Sequence, residues 1–315
     1  MTTKDWLRFW ILGLIWGTSF LWIKIAVADI SPFVLVGFRT LFGALGLLVI
    51  MWTQKSLARN WKEMRKWLGV FAVVGLINVA LPFVLISWSE QYISSGIASI
   101  LDSAVPLFSM LIAPLVLRDD PMTMPKTVGL VIGFVGVLIL FSPELVQGIN
   151  QGLIGQIGML VATLCYAAGS IYARLKARGV APEVQAFLQL GTATGMVWLF
   201  TGVAERPIVL PHLPVTWLAL LWLGLLGSCV AYILFFGLMN SIGPTRTTMV
   251  TYIPPLVGVL LGAIFLGEHL NWQAIVGGLL ILSGIAVVNM KKLPLPFKKP
   301  ASLKEEEPAC CEGEA

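Results

Sequence analysis

Ten apolar runs, each of roughly the length that crosses about 30 Å of hydrocarbon, divide this chain near residues 7 to 28, 33 to 53, 67 to 88, 93 to 116, 127 to 142, 153 to 173, 184 to 203, 215 to 238, 246 to 266 and 273 to 290. The fifth is the shortest. In lipid each run must satisfy its own backbone hydrogen bonds, so every one is expected to be a helix. With 57% hydrophobic and only 12% charged residues, the chain cannot be an ordinary soluble domain, in which about 25% of residues are charged.

Lys and Arg placement orients the spans. If the N-terminus is cytoplasmic, 18 of the 21 Lys and Arg lie in inner segments, Lys24 and Arg39 fall within spans, and only Arg206 sits in an outer loop. That bias puts both termini inside and requires an even number of spans. The net charge of +5 follows from topology. The basic residues are scattered over short segments, so no nucleic-acid partner is needed to explain them. Lys4, Arg8 and the run up to Ala26-Val27-Ala28 mimic a signal peptide. Cleavage there would leave one half of the chain incomplete, and Lys24 interrupts the run just before the site. Cys165 and Cys229 lie in spans, and Cys310 and Cys311 lie on a tail, 291–315, expected to be disordered and cytoplasmic. No metal-ligand spacing or cofactor motif is present.

The chain is duplicated. An offset of 150 pairs Trp16 with Tyr166, Lys24 with Arg174 and Pro32 with Pro182; 149 pairs Pro106 with Pro255 and Leu117 with Leu266; 148 pairs Gly129 with Gly277 and Gly136 with Gly284. The halves, 8–142 and 153–290, hold five spans each, and an odd number forces them to lie in opposite orientations. The expected fold is an all-α membrane protein of ten transmembrane helices in two inverted five-helix repeats, the signature of a secondary transporter.

The run Leu14-Ile15-Trp16-Gly17-Thr18-Ser19-Phe20, Arg39, Pro106, Gly267-Glu268-His269-Leu270 and the later Gly277, Gly278 and Gly284 resemble the EamA repeat of the drug/metabolite transporter superfamily, over about residues 8 to 290. One departure is Arg118-Asp119-Asp120-Pro121, where the family usually has a glutamate like Glu268. The resemblance implies a substrate pathway between the halves and, for most members, export of metabolites or amino acids.

A mid-membrane site is best sought where helices are interrupted at matching repeat positions. Pro106 and Pro114 in span four and Pro254-Pro255 in span nine remove helix hydrogen bonds there. Ionisable groups inside spans cost about 2.5 to 3.5 kcal/mol and need partners or water. Lys24, near the outer end of span one, is placed to snorkel. Arg39 in span two cannot lose its charge. Asp102 in span four reads as the only intramembrane carboxylate, so Arg39 is expected to pair with it. In a sharper reading, Asp102 titrates or binds a substrate amine. Trp16, Thr18, Ser19, Trp22, Asn78, Ser87, Trp88, Tyr166, Ser170, Tyr172, Gln185, Gln189, Tyr232, Thr251 and Tyr252 are candidates to line the rest. Gln189 aligns with Arg39 and Thr251 with Asp102, so the halves are chemically unequal. Trp6, Trp10, Trp52, Trp61, Trp67 and Trp272 suit the membrane interfaces. Gly13 with Gly17, Gly129 with Gly133, Gly191 with Gly195 and Gly258 with Gly262 permit close helix approach within one chain. Nothing in them specifies an oligomeric state.

The expected function is a secondary active transporter in a cell inner membrane, an exporter of small metabolites such as amino acids by alternating access between the repeats. A drug/metabolite antiporter, a channel and a lipid translocase are the alternatives. The partners are a small-molecule substrate and the bilayer. Energy must come from a gradient, since no G-x-x-x-x-G-K-[ST] loop is present. Against an enzyme, His212 and His269 are in outer loops, H-E-x-x-H is absent, and no Ser has a neighbouring base.

Overall fold

The computed structural model describes residues 1–117 and 120–289, and every regular element in that range is helical. Arg118, Asp119 and the tail with Cys310 and Cys311 lie outside the described residues. Nine helices there are long and apolar enough to cross a membrane: Thr3–Ala26, Pro32–Thr53, Arg59–Ser89, Ser95–Val116, Met124–Gln147, Gln151–Lys176, Pro182–Ala204, Pro214–Ile242 and Thr248–Leu266. A tenth, Trp272–Val288, is shorter. These are spans one to ten in chain order. The fifth, expected to be the shortest, runs for 24 residues. Pro125 fits its first turn, where the missing N–H has no helical partner, and Pro143 is accommodated inside it.

Spans four and nine are interrupted as their prolines require. Span four stops at Asp102 and restarts at Val105, with Pro106 in the new first turn. Span nine enters as a 3-10 stretch, Thr248–Tyr252, before Pro254 and Pro255. Spans three and eight carry breaks that the sequence did not announce. Wide π turns occupy Leu76–Ala80 and Trp222–Val230, at matching positions of the two halves. Such turns insert an extra residue and re-aim the side chains beyond them.

Contacts between the halves obey a two-fold relation. A side chain at Gly129 would meet the Gly284 carbonyl oxygen at 2.4 Å, and one at Gly284 would meet that of Gly129 at 2.4 Å. Gly136 and Gly277 oppose each other in the same way, at 2.6 Å in both directions. Gly129 is the repeat partner of Gly277, and Gly136 of Gly284, so each contact is the image of the other, as at an isologous interface. Spans five and ten therefore touch backbone to backbone. Gly284→Val is expected to lower the thermal midpoint in detergent, overpacking costing about 1–3 kcal/mol or more where backbone cannot yield. Gly202→Val, with nothing within 4 Å, should leave the midpoint unchanged. Of the four small-residue spacings, Gly191 with Gly195 alone packs against nothing within 4 Å.

The bundle has two unlike ends. At the end opposite the N-terminus, here called the distal end, Ser31 donates to Glu205 at 2.6 Å. There Asp29 also accepts hydrogen bonds from His212 N, Leu213 N and Thr216 Oγ1 at 3.0, 3.1 and 2.7 Å. The Thr216 bond first, then those backbone amides at the start of span eight, hold the Asp29 carboxyl below the usual carboxylate range.

The distal halves of spans four and nine are also packed tightly. A side chain at Gly258 would meet Ser99 at 2.5 Å, and one at Gly96 would meet Leu270 at 3.2 Å.

Candidate functional site

Arg39 sits about two turns into span two and is 6% exposed. Its guanidinium lies over the Phe83 ring, 3.8 Å from the centroid, a cation–π contact in a desolvated place. Nε donates to Ser228 Oγ at a long 3.4 Å, the one hydrogen bond of the guanidinium among the described residues. The expected ion pair with Asp102 is not formed. Asp102 ends the first helix of span four, half-buried, with Oδ1 enclosed and without a hydrogen-bond partner. Opposite charges in neighbouring spans meet only if helix packing brings them together, and here an aromatic face from span three takes the guanidinium instead.

Tyr166, Tyr232, Glu90 and Asp102 lie within electrostatic reach of Arg39. Of these, Tyr166 has its ring 6.4 Å from that of Phe83, so spans two, three and six meet at Arg39. Beside them Asn78 Nδ2 donates to Gln189 Oε1 at 3.1 Å, and Ser170 Oγ to Asn78 Oδ1 at 3.4 Å. Asn78 is the repeat counterpart of Ser228, and Gln189 of Arg39. The Arg39–Ser228 and Gln189–Asn78 contacts are one contact made twice, with a cation in only one copy.

Several candidates lie elsewhere or are already engaged. Trp16 packs against Phe235, ring centres 5.6 Å apart, in an apolar cluster with Leu12 and Leu238. Thr18 accepts from Trp222 Nε1 at 3.0 Å, and Ser19 donates to its own helix at Ile15 O, 3.1 Å away. Trp88 stacks edge-on with Tyr92 at 5.2 Å. Pro106 is half-buried beside the break in span four, Tyr252 is half-buried, and Pro255 is buried, its carbonyl accepting from Ser99 Oγ at 3.5 Å. Phe83, Ser228 and Glu90 were not singled out in the sequence. Ser228 was open to discovery as the image of Asn78 at an offset of 150.

A family profile described as the EamA-like transporter family matches residues 7–142 and 153–290. The chain belongs to this family. Among its relatives, YoaV of Bacillus subtilis (strain 168), an uncharacterized transporter, is 26% identical over 86% of this chain and 92% of its own length. YedA of Escherichia coli (strain K12), an uncharacterized inner membrane transporter, is 29% identical over 91% of both. PagO of Salmonella typhimurium is 27% identical over 80% of this chain and 82% of its own length. A solved crystal structure with 19% identity superposes with a TM-score of 0.64, covering 94% of this chain and 100% of that one, which shows a shared fold. This EamA-like protein is a multi-pass membrane transporter and not an enzyme.

The EamA-type glutamate, Glu268, has a geometric role. It crosses to the other repeat and accepts from Ser95 N, Ser95 Oγ and Gly96 N at 2.8, 2.9 and 3.1 Å. It thereby caps the positive N-terminus of span four. Lys24, expected to snorkel, turns inward. Its ammonium donates to the backbone carbonyls of Glu90, at the cap of span three, and Ile93, in the loop before span four. The loop between spans three and four is held inward by this tether. Glu90, which falls between the third and fourth apolar runs, is 0% exposed, and Asp102 is not the only enclosed carboxylate.

Proposed function

We propose that this chain is an inner-membrane secondary exporter of small zwitterionic metabolites such as amino acids, with both termini in the cytoplasm and the repeats 8–142 and 153–290 as its moving bodies. One observation carries the substrate class: Arg39 and Asp102 share a mid-membrane region without pairing with each other. A buried cation without an anion is costly, by about several kcal/mol. A ligand carrying both a carboxylate and an ammonium completes both groups at once, with Arg39 offering the planar fork that suits a carboxylate. Tyr166 and Tyr232 add hydroxyls and ring faces for the rest of the molecule.

The distal end supports the mechanism. Spans four and nine are packed tightly at the distal end, which fits a transporter closed on that side and ready to load from the cytoplasm. Interchange of the two ends under the two-fold relation gives the opposite state, as alternating access requires.

The test is thermal unfolding of detergent-purified protein with the proteinogenic amino acids, their decarboxylated amines and their N-acetyl derivatives. A ligand at about 100 times its Kd stabilises the native state by about 2.7 kcal/mol. Intact amino acids should raise the midpoint, whereas amines and N-acetyl derivatives should raise it far less. Asp102→Asn should abolish the advantage of the free ammonium. Equal shifts from all three compound classes, or none from any, would remove the zwitterion reading.

A further inference from the structure

Glu90 is the most enclosed acid of the distal end. Its residue is 0% exposed, and neither Oε1 nor Oε2 has a hydrogen-bond partner in the protein. Among the described residues no Lys or Arg nitrogen makes a salt bridge with it. Lys24 is spent on the carbonyls of Glu90 and Ile93 and does not bond the carboxylate. The charged and titratable groups that face it are Lys24 from span one, Glu268 from the loop after span nine, Arg39 from span two and Asp102 from span four. Burial opposes ionisation of Glu90 most strongly, and Lys24 is the strongest of the four charges.

The place is tightly built. Side chains at Gly155 and Gly158 of span six would collide with Tyr92 Cβ at 3.1 Å and Ser89 Oγ at 2.5 Å, so span six lies flush against the end of span three. A carboxylate ion confined without a donor is far more costly than the neutral acid.

We infer that Glu90 is a proton-binding site coupled to closure of the distal end: the acid is neutral when spans four and nine meet there, and it ionises when they part and water and Lys24 reach it. No bond other than the O–H is made or broken; the proton passes to solvent on the distal side. By linkage, a group that binds a proton more tightly in the closed state makes protonation favour closure and deprotonation favour opening. Glu90 makes no hydrogen bond to Arg39 or Asp102, and the inference rests on the alternating-access reading above but not on which metabolite is carried.

The experiment uses the full chain in lipid nanodiscs, without substrate, with Cys165, Cys229, Cys310 and Cys311 replaced by serine. Spin labels are placed at the exposed positions Gln91→Cys and His269→Cys, and their separation is measured from about pH 5 to about pH 9, a range that includes documented titrations of buried glutamates. The wild-type background should show a short distance at low pH and a growing long-distance population as pH rises. Glu90→Gln, which copies the neutral acid, should stay short throughout, while Asp102→Asn should keep the pH response.

In parallel, pH-difference infrared spectra of the wild-type chain should contain the carbonyl band of a protonated carboxylic acid that shifts in Glu90→Asp. That band is read even if Glu90→Gln does not fold. An unaltered pH response in Glu90→Gln, or a carboxylic-acid band insensitive to Glu90→Asp, overturns the inference.

Discussion

Arg39→Gln is expected to abolish amino-acid binding and transport while leaving the ligand-free protein as stable as before, or more so. The loss of binding follows from two charge-assisted hydrogen bonds to a carboxylate, each worth about 1.5–3 kcal/mol. Tenfold in affinity corresponds to about 1.4 kcal/mol, so the two together give on the order of 100-fold or more.

The stability effect separates a binding residue from a structural one. Breaking a buried ion pair costs about 3–5 kcal/mol because it strands a charge. Arg39 has no such partner, so its removal strands nothing. What is lost is the Phe83 contact, about 2 kcal/mol or more in a desolvated site, and the long bond to Ser228. Against that stands relief of about several kcal/mol of desolvation. Glutamine at 39 also reproduces the residue that the other repeat holds at 189. Thermal unfolding with and without ligand, and uptake into vesicles, read the two effects separately. A midpoint that drops by the full cost of a broken ion pair would make Arg39 a structural residue and withdraw it from the site.

What the sequence revealed of this site followed from what hydropathy and repetition can carry. Apolar length located the spans because lipid dictates it, and the Pro and Gly matches located the two-fold relation because backbone geometry dictates them. Arg39 and Asp102 stood out because charge is rare at that depth. Their mutual distance was not legible, since it depends on how spans two, three and four rotate against one another, and rotation put Phe83 over the guanidinium. Glu90 was hidden by its position in the short loop between two spans, where an acid ordinarily meets water; the inward Lys24 and the close approach of span six enclose that loop. The π turn of span eight had no signature, for Trp222–Val230 contains no proline.

Gly258→Leu is expected to hold the distal end open and stop transport, the second large effect. A Cβ at 258 would lie 2.5 Å from both Cβ and Oγ of Ser99, and Ser99 is itself fully enclosed. Closure there has room for a hydrogen atom and no more. Overpacking of about 1–3 kcal/mol or more falls only on the closed state, because separated spans have no such clash. A ligand or mutation shifts a two-state equilibrium only by its differential effect on the states, and here nearly all of the clash is differential.

About 2.7 kcal/mol corresponds to a hundredfold shift in population, enough to turn a mostly closed distal end into a mostly open one. A single cysteine at Ser103, 4% exposed beside the break in span four, reports the change. In a background with the other cysteines replaced, Ser103→Cys should resist a membrane-impermeant maleimide from the distal side and react rapidly once Gly258→Leu is added. Gly191→Leu, facing nothing within 4 Å, is the matched control and should change neither labelling nor transport. Unchanged labelling with transport retained would show that spans four and nine need not meet at Gly258 during the cycle, and the distal contact would then be packing alone.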